Sequence, residues 1–265
     1  MPAFGDVHVD VDQDHVALVE VRRPPHNFFS LSMLGSIADA LEWVDGENDA
    51  RCVLLASEGK NFCAGAALDA ENPRPTSEQE DLVAPPGRHI YDECFRMFSA
   101  RKPVVAAVQG ASVGGGLGLA CMADFRVGGP GTRMTANFAR LGFHHGFGLS
   151  ATLPNIVGHQ KALELLYTGK RIKGDEAHRI GLLDQYVDAD DQIRPTARAL
   201  ALEIAISAPL AIESIRQTMR GHLAAQVRAA TDREKAEQDR LRKTGDFREG
   251  VAAMGERRTP EFKGA

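Results

Sequence analysis

Residues 109–124 read QGASVGGGLGLACMAD and hold two different kinds of chemistry. Gly110-Ala111-Ser112-Val113-Gly114 has the G-x-S-x-G form that, after a buried strand such as 103–108, raises a serine nucleophile on a sharp turn. The overlapping Gly114-Gly115-Gly116 opens an apolar helix, where bare backbone N–H groups hold an anion with no nucleophile at all. A nucleophile elbow also needs an acid and then a histidine later in the chain, each at a strand end. Asp184 is available as the acid, but only His222 follows the last predicted strand, and it falls inside a helical pattern. The order of residues therefore disfavours hydrolysis by Ser112.

An oxygen held by backbone alone needs two converging N–H donors, and hence a second strand-to-loop segment with small residues. The stretch LLASEGKNFCAGAALD supplies one, with Phe62-Cys63-Ala64-Gly65-Ala66-Ala67-Leu68 after a strand. Small residues let main chain approach a ligand closely, and two such amides stabilise charge that develops on a carbonyl oxygen. Taken singly, each loop also has the composition of a tight packing turn.

The elements that must position these loops alternate. Strands are predicted over 16–21, 52–56, 104–108, 125–127 and 183–187, with helical patterns between them, which makes the chain α/β. Leu34, Ile37, Ala38, Leu41 and Val44 recur at helical spacing, with Ser30 or Ser32 as N-cap. RPTSEQEDLVAPPG, 74–87, predicts a mobile loop or short irregular helix of the kind that covers binding sites. HQKALELLYTGKRI predicts a helix closed by Gly169, and DEAHRIGLLDQYVD a helix, a stop at Gly181 and a strand. After about residue 190 only helical patterns follow, so the chain divides into 1–190, carrying the site, and 191–265, a helical region.

The 265 residues allow one large domain or a domain with an appendage, and the 43% hydrophobic and 25% charged shares are those of a globular protein. A net charge of -5 and a pI near 6.0 provide no basic footprint for nucleic acid. Cys52, Cys63, Cys94 and Cys121 lie far apart without metal-ligand spacing, which reads as reduced thiols and no metal site. The N-terminal residues lack the basic start and apolar core of a signal peptide, and no apolar run approaches the roughly 18 residues of a membrane span. A cytoplasmic protein is expected.

In order along the chain stand RPPHNFF, NFCAGAALD, KPVVAAVQGASVGGGLGLACMADFRV, ARLGFHHGFGLSATLPNIVG, ALELLYTGKRIKGDEAHRIGLLDQYV and ERRTPEFKGA. In this order they resemble the crotonase family, the enoyl-CoA hydratase/isomerase superfamily. The resemblance implies a spiral of β-β-α units followed by a C-terminal helical trimerisation region, assembled as a homotrimer or a dimer of trimers. It implies an acyl-CoA substrate with coenzyme A as part of it, and no permanently bound cofactor. The thioester C=O would be held by the N–H groups of Ala64 and Gly115, aided by the positive end of the helix that follows. Gly65, Ala66, Leu117, Gly118 and Phe138 would line the acyl site, with Arg23, His26, Phe262 and Lys263 toward the coenzyme.

Against the same family pattern, Gly118 and Phe138 stand where a hydratase carries its two glutamates, and neither moves a proton. His144 and His145 fall on the following loop with a side chain suited to proton transfer near neutral pH. Adjacent side chains on one loop are expected to point apart, so at most one of the pair, preferably His145, would face the ligand while the other packs or hydrogen-bonds. Ala67 replaces the family's acidic residue ahead of Asp69, and Asp124 suits a structural hydrogen-bonding role. The expected function is an acyl-CoA lyase or isomerase that stabilises a thioester enolate. The alternatives are a non-catalytic acyl-CoA-binding protein and, third, a serine hydrolase using Ser112.

Overall fold

Strand β3, Cys52–Ser57, is buried at every position, the pattern of a parallel strand covered on both faces. The structure, a computed structural model, describes residues 3–66 and 89–265. Its main sheet takes the order β1 (Val7–Val11), β2 (Val16–Val21), β3, β4 (Val104–Ala107), β6 (Phe125–Gly128) and β9 (Gln185–Tyr186). Only β1 runs antiparallel to its neighbour; the other pairs are parallel. A second sheet joins β5 (Ala111–Val113), β7 (Arg133–Thr135) and β8 (Ile172–Lys173).

The helices of the described residues are α1 (Leu31–Gly46), α2 (Ile90–Phe98), α3 (Gly115–Met122), α4 (Leu149–Val157), α5 (His159–Thr168) and α6 (Gly174–Arg179). The chain ends with α7 (Ile193–Ala205), α8 (Pro209–Arg220), α9 (Leu223–Leu241) and α10 (Gly245–Gly255). Because side chains alternate across a strand, the sheet feeds two cores. Val53, Leu55, Val104 and Ala106 share one with the buried faces of α1 and α2. Cys52, Leu54, Ala56, Val105 and Ala107 share the other with Ile193, Ala197, Ala201 and Ala205 of α7, spaced four apart on one helical face. The first helix beyond residue 190 thus packs on the sheet.

All eight residues of α3 are buried, as befits a helix that is apolar all round. The chain enters it through Gly114, at φ 56° and ψ -115°, a conformation that glycine adopts without steric cost. Ser30 caps α1 by accepting the Met33 N–H at 3.2 Å, and Gly169 closes α5 in the left-handed region at φ 55°. Four strands, β1, β5, β7 and β8, were not anticipated. The last three have two or three residues each, too few for a period to register. The strand expected at 183 begins at Gln185, because the Leu183 amide is drawn to Ala177 O at the end of α6. The segment 74–87 lies outside the described residues.

α8 contributes no buried residue, and charge holds it in place. The Asp124 carboxylate accepts from Arg216 Nε at 3.0 Å and pairs with Arg220 Nε at 3.0 Å, while also taking the Val104 amide at 2.8 Å. The Asp124 side chain is 8% exposed, and breaking such a buried pair leaves uncompensated charge. Asp124→Ala is therefore expected to cost about 3–5 kcal/mol, read as a lowered urea midpoint; an unmoved midpoint would contradict the anchor.

Candidate active site

Two loops meet main chain to main chain at the mouth of α3. The 61–63 segment runs along β5: the Phe62 amide donates to Gln109 O at 2.8 Å, Cys63 to Ala111 O at 3.0 Å and Val113 to Cys63 O at 3.0 Å. This pairing leaves no room for a side chain at Gly116, where a Cβ would stand 2.1 Å from Cys63 O. The RPPHNFF turn braces the pair. Buried Asn27 donates through Nδ2 to Glu58 O (2.8 Å) and Asn61 O (2.7 Å), and Asn61 Oδ1 accepts the Ala111 amide at 2.9 Å. Phe29 N–H donates to Gly65 O at 3.1 Å, and Ala64 N–H to His26 O at 3.0 Å. The Gly65 and Phe29 amides stand beside the Cys63 thiol, whose pKa burial pushes up to about 11. The amides of Ala66, Gly115 and Gly116 donate to no acceptor among the described residues. The latter two are orphans of a helix's first turn.

These backbones wall one side of a cavity of about 460 Å³, lined there by Ala64, Gly65, Ala66, Gly114 and Gly115, within the size range of small-ligand sites. The apolar walls carry Phe29, Phe138, Leu141, Phe143, Phe147 and Phe247. Phe143 meets Phe138 and Phe247 edge to face at centroid separations of 5.5 and 5.1 Å, the geometry that ring quadrupoles favour. The polar wall comes from the start of α2, with His89 and Tyr91, and from α9, with Lys235, Gln238, Asp239 and the Arg242 that follows it. Tyr91 O–H donates to Gln238 Oε1 at 2.9 Å, and burial raises the Tyr91 pKa well above its ordinary value. Lys235 pairs with Asp239 at 2.7 Å. The Arg242 guanidinium lies 5.8 Å above the Phe143 ring, its pKa lowered by burial.

Phe147 occupies the space over Gly118, where a Cβ would meet the Phe147 Cβ at 2.6 Å. Phe147 has φ 62° and is 2% exposed. A side-chain-bearing residue held there costs about 1–3 kcal/mol, so its surroundings must fix it. α9 does so. Buried Glu234 accepts from Gly148 N–H (2.9 Å), Ser150 N–H (3.0 Å) and Ser150 O–H (2.7 Å), and Gln238 Nε2 donates to His144 O at 3.0 Å. Burial raises the Glu234 pKa in spite of these donors.

Of the residues singled out in the sequence, Ala64, Gly65, Ala66, Gly115 and Phe138 line the cavity. Others do not. Leu117 is 1% exposed in the core, and Gly118 lies beneath Phe147. His144 and His145 do not point apart: their rings stack at 4.1 Å, and neither lines the cavity. His144 Nδ1 stands 2.7 Å from His145 O, and His145 Nε2 stands 2.8 Å from Ser150 Oγ, so both brace their own loop. Burial, with His144 alongside, pushes the His145 pKa down to about 4. Arg23 is engaged by Ser30 (2.7 Å) and Asp6 (3.3 Å), and His26 by Asn61 (2.9 Å). Phe262 and Lys263 belong to a tail folded on the start of α10, where Asp246 accepts the Lys263 and Gly264 amides at 2.7 and 2.9 Å. Ala67 and Asp69 lie outside the described residues.

The hydrolase reading fails on geometry. Ser112 is 0% exposed and its Oγ donates to Gly116 O at 3.0 Å. Asp184 is paired with Arg126 at 2.7 Å, and His222 is exposed at the start of α9. Sequence reasoning missed His89, Tyr91, Gln238 and Asp239. A signal was present for the first two: His89 and Asp92, three apart, cap a run in which Tyr91, Cys94 and Phe98 mark one helical face. Gln238 and Asp239 sat in a strongly charged helix that read as a solvated face.

The mixed α/β fold is shared with known proteins. The family model for enoyl-CoA hydratase/isomerase matches residues 12–265, and the chain belongs to that family, whose enzymes act on coenzyme A thioesters. It is 30% identical over 250 residues to the 1,2-epoxyphenylacetyl-CoA isomerase of Escherichia coli (strain K12), across 94% of this chain and 95% of that one. It is 29% identical over 258 residues to a probable enoyl-CoA hydratase of Bacillus subtilis (strain 168), across 97% and 98% of the two chains. The crystal structure of an enoyl-CoA hydratase/isomerase from Pseudoalteromonas atlantica T6c matches with a TM-score of 0.84 at 25% identity, over 98% of this chain and all of that one.

The geometry predicts that neither Ser112 nor His145 takes part in chemistry. A fluorophosphonate should leave the protein unlabelled, and His145→Gln, which keeps a donor toward Ser150, should hold turnover within about threefold. Loss of a general base would cost about 10²-fold or more, and a loss of that size would restore the histidine to the mechanism.

Proposed function

We propose that the chain is an acyl-CoA enzyme that stabilises a thioester enolate on the amides of Ala66 and Gly115. One observation carries the reading: the Ala64 amide is spent on His26 O, whereas the Ala66 and Gly115 amides line the cavity with no acceptor among the described residues. The first donor therefore moves two residues along the loop from Ala64. Gly115 adds the positive end of α3, and a preorganised donor of this kind contributes about 10²–10³-fold to rate.

Water addition by two carboxylates is outside this reading, since the two positions hold Gly118, beneath Phe147, and Phe138. A double-bond shift suits the cavity better: one proton leaves, the electron pair moves to the thioester oxygen, and one proton returns, with no water consumed. Among the described lining residues Asp239 carries the only carboxylate, and the reading gives it that proton. The edge-to-face phenylalanines favour a bulky apolar or aromatic acyl group, and the name of the Escherichia coli relative, with its phenylacetyl thioester, points the same way. A homotrimer or a dimer of trimers fits the surface of α8, where Leu210, Ile215 and Met219 are 80%, 58% and 68% exposed. Burying such a face against a second copy removes apolar area from water.

Gly115→Ala tests the donor, because the added methyl would meet the Phe29 ring at 2.2 Å and drive it toward the thioester site. With a 3-enoyl-CoA, kcat/KM for conversion to the 2-enoyl isomer should fall about 10²–10³-fold while the thermal transition stays cooperative. Unchanged turnover would contradict the assignment. Tight acyl-CoA binding by the wild type, without isomerisation or hydration, would favour the non-catalytic binding protein instead.

A further inference from the structure

We propose that His89 is a hydrogen-bond donor of the acyl pocket, presenting a neutral Nε2–H to an oxygen carried on the acyl chain. The inference rests on the reading of the cavity as an acyl-CoA site and names a feature of the substrate which that reading leaves open. His89 is the N-cap of α2. Its Nδ1 accepts the Tyr91 amide at 3.1 Å, and its own amide donates to Asp92 Oδ2 at 3.0 Å, a reciprocal capping box. A ring nitrogen that accepts a backbone N–H carries no proton, so the neutral ring holds its proton on Nε2.

The ring is also kept from charging. A proton on Nδ1 would break the cap and set a positive charge at the positive end of a helix dipole. Burial and the Lys235 ammonium both lower the His89 pKa, opposed by Asp92 and Asp239. With one nitrogen capped and the other protonated, His89 has no lone pair for use as a base. What it can do is donate. Its ring lines the cavity beside Ile90 and Tyr91, and Nε2 meets no acceptor among the described residues. An N–H that a bound apolar chain cuts off from water without replacing its acceptor is unfavourable, which selects ligands that supply an acceptor. A neutral imidazole held at a helix N-terminus is, in general, suited to polarising an oxygen without protonating it. The pocket so built discriminates at two points: the backbone amides of Ala66 and Gly115 at the thioester, and His89 farther along the acyl group, on a hydroxyl, ether or carbonyl oxygen.

Calorimetric titration of the intact protein with butyryl-CoA, 3-hydroxybutyryl-CoA and 4-hydroxybutyryl-CoA tests this. The wild type should bind at least one hydroxyacyl thioester about fivefold or more tightly than butyryl-CoA, the worth of one net hydrogen bond. His89→Asn keeps a good N-cap but lacks the imidazole reach. It should bind butyryl-CoA within about twofold of wild type and lose the preference. Equal binding of the three thioesters by the wild type, or a preference that survives in His89→Asn, would overturn the assignment. Equal binding by the wild type overturns the assignment even should the variant fail to fold, and His89→Gln then serves as the second variant for the comparison. If none of the three thioesters binds, the acyl-CoA reading itself fails, and the His89 assignment goes with it.

Discussion

The site depends on one contact, the main-chain pairing of residues 61–63 with 109–113. It draws Cys63 O to within contact of Gly116, which admits no side chain there, and it sets the Ala66 and Gly115 amides on one wall of one cavity. Much of the surrounding sequence serves that contact. Asn27 and Asn61 bind the loops through side-chain amides, and the wholly buried α3 fixes the direction of the helix mouth. Such donors are backbone atoms, so they are positioned by packing and cannot be tuned by changing a side chain. Preorganisation of this kind costs no reorganisation when charge develops.

The opposite wall is built by a different device. The loop through Phe147 has a backbone conformation that side-chain-bearing residues rarely adopt, and it is held by the three bonds to Glu234 and by Gln238. The strain has a visible result: the Phe147 ring fills the space above Gly118 and leaves that side of the cavity apolar. Among the described residues, the polar side chains that line it come from the start of α2, from Asn137 and from α9 and its C-terminal end. The same helix, α9, thus both fixes the loop and supplies part of the polar wall.

The central strands β3 and β4 were legible because each is a short, continuous apolar run, and α1 because its apolar period and Ser30 cap agree. The pair of small-residue loops was legible because close approach of main chain demands glycine and alanine. Which amide of the first loop is spent on the fold was not: the Ala64 N–H reaches His26 O, a contact across 38 residues of chain that no local pattern records. The histidine pair misled for the same reason. Residue type favoured His144 and His145 as proton carriers, whereas their surroundings give them Ser150 and each other as partners. His89 went unnoticed because a capping histidine resembles any polar residue ahead of a helix.

The central claim is that two backbone amides hold and polarise a thioester oxygen. Isotope-edited infrared spectroscopy of a bound acyl-CoA labelled with ¹³C at the thioester carbonyl tests it without needing turnover. Donation from Ala66 and Gly115 lengthens the C=O bond, so the stretch should move to clearly lower frequency than in free solution and narrow as the carbonyl takes a single environment. A bound thioester whose carbonyl keeps its solution frequency would contradict the account.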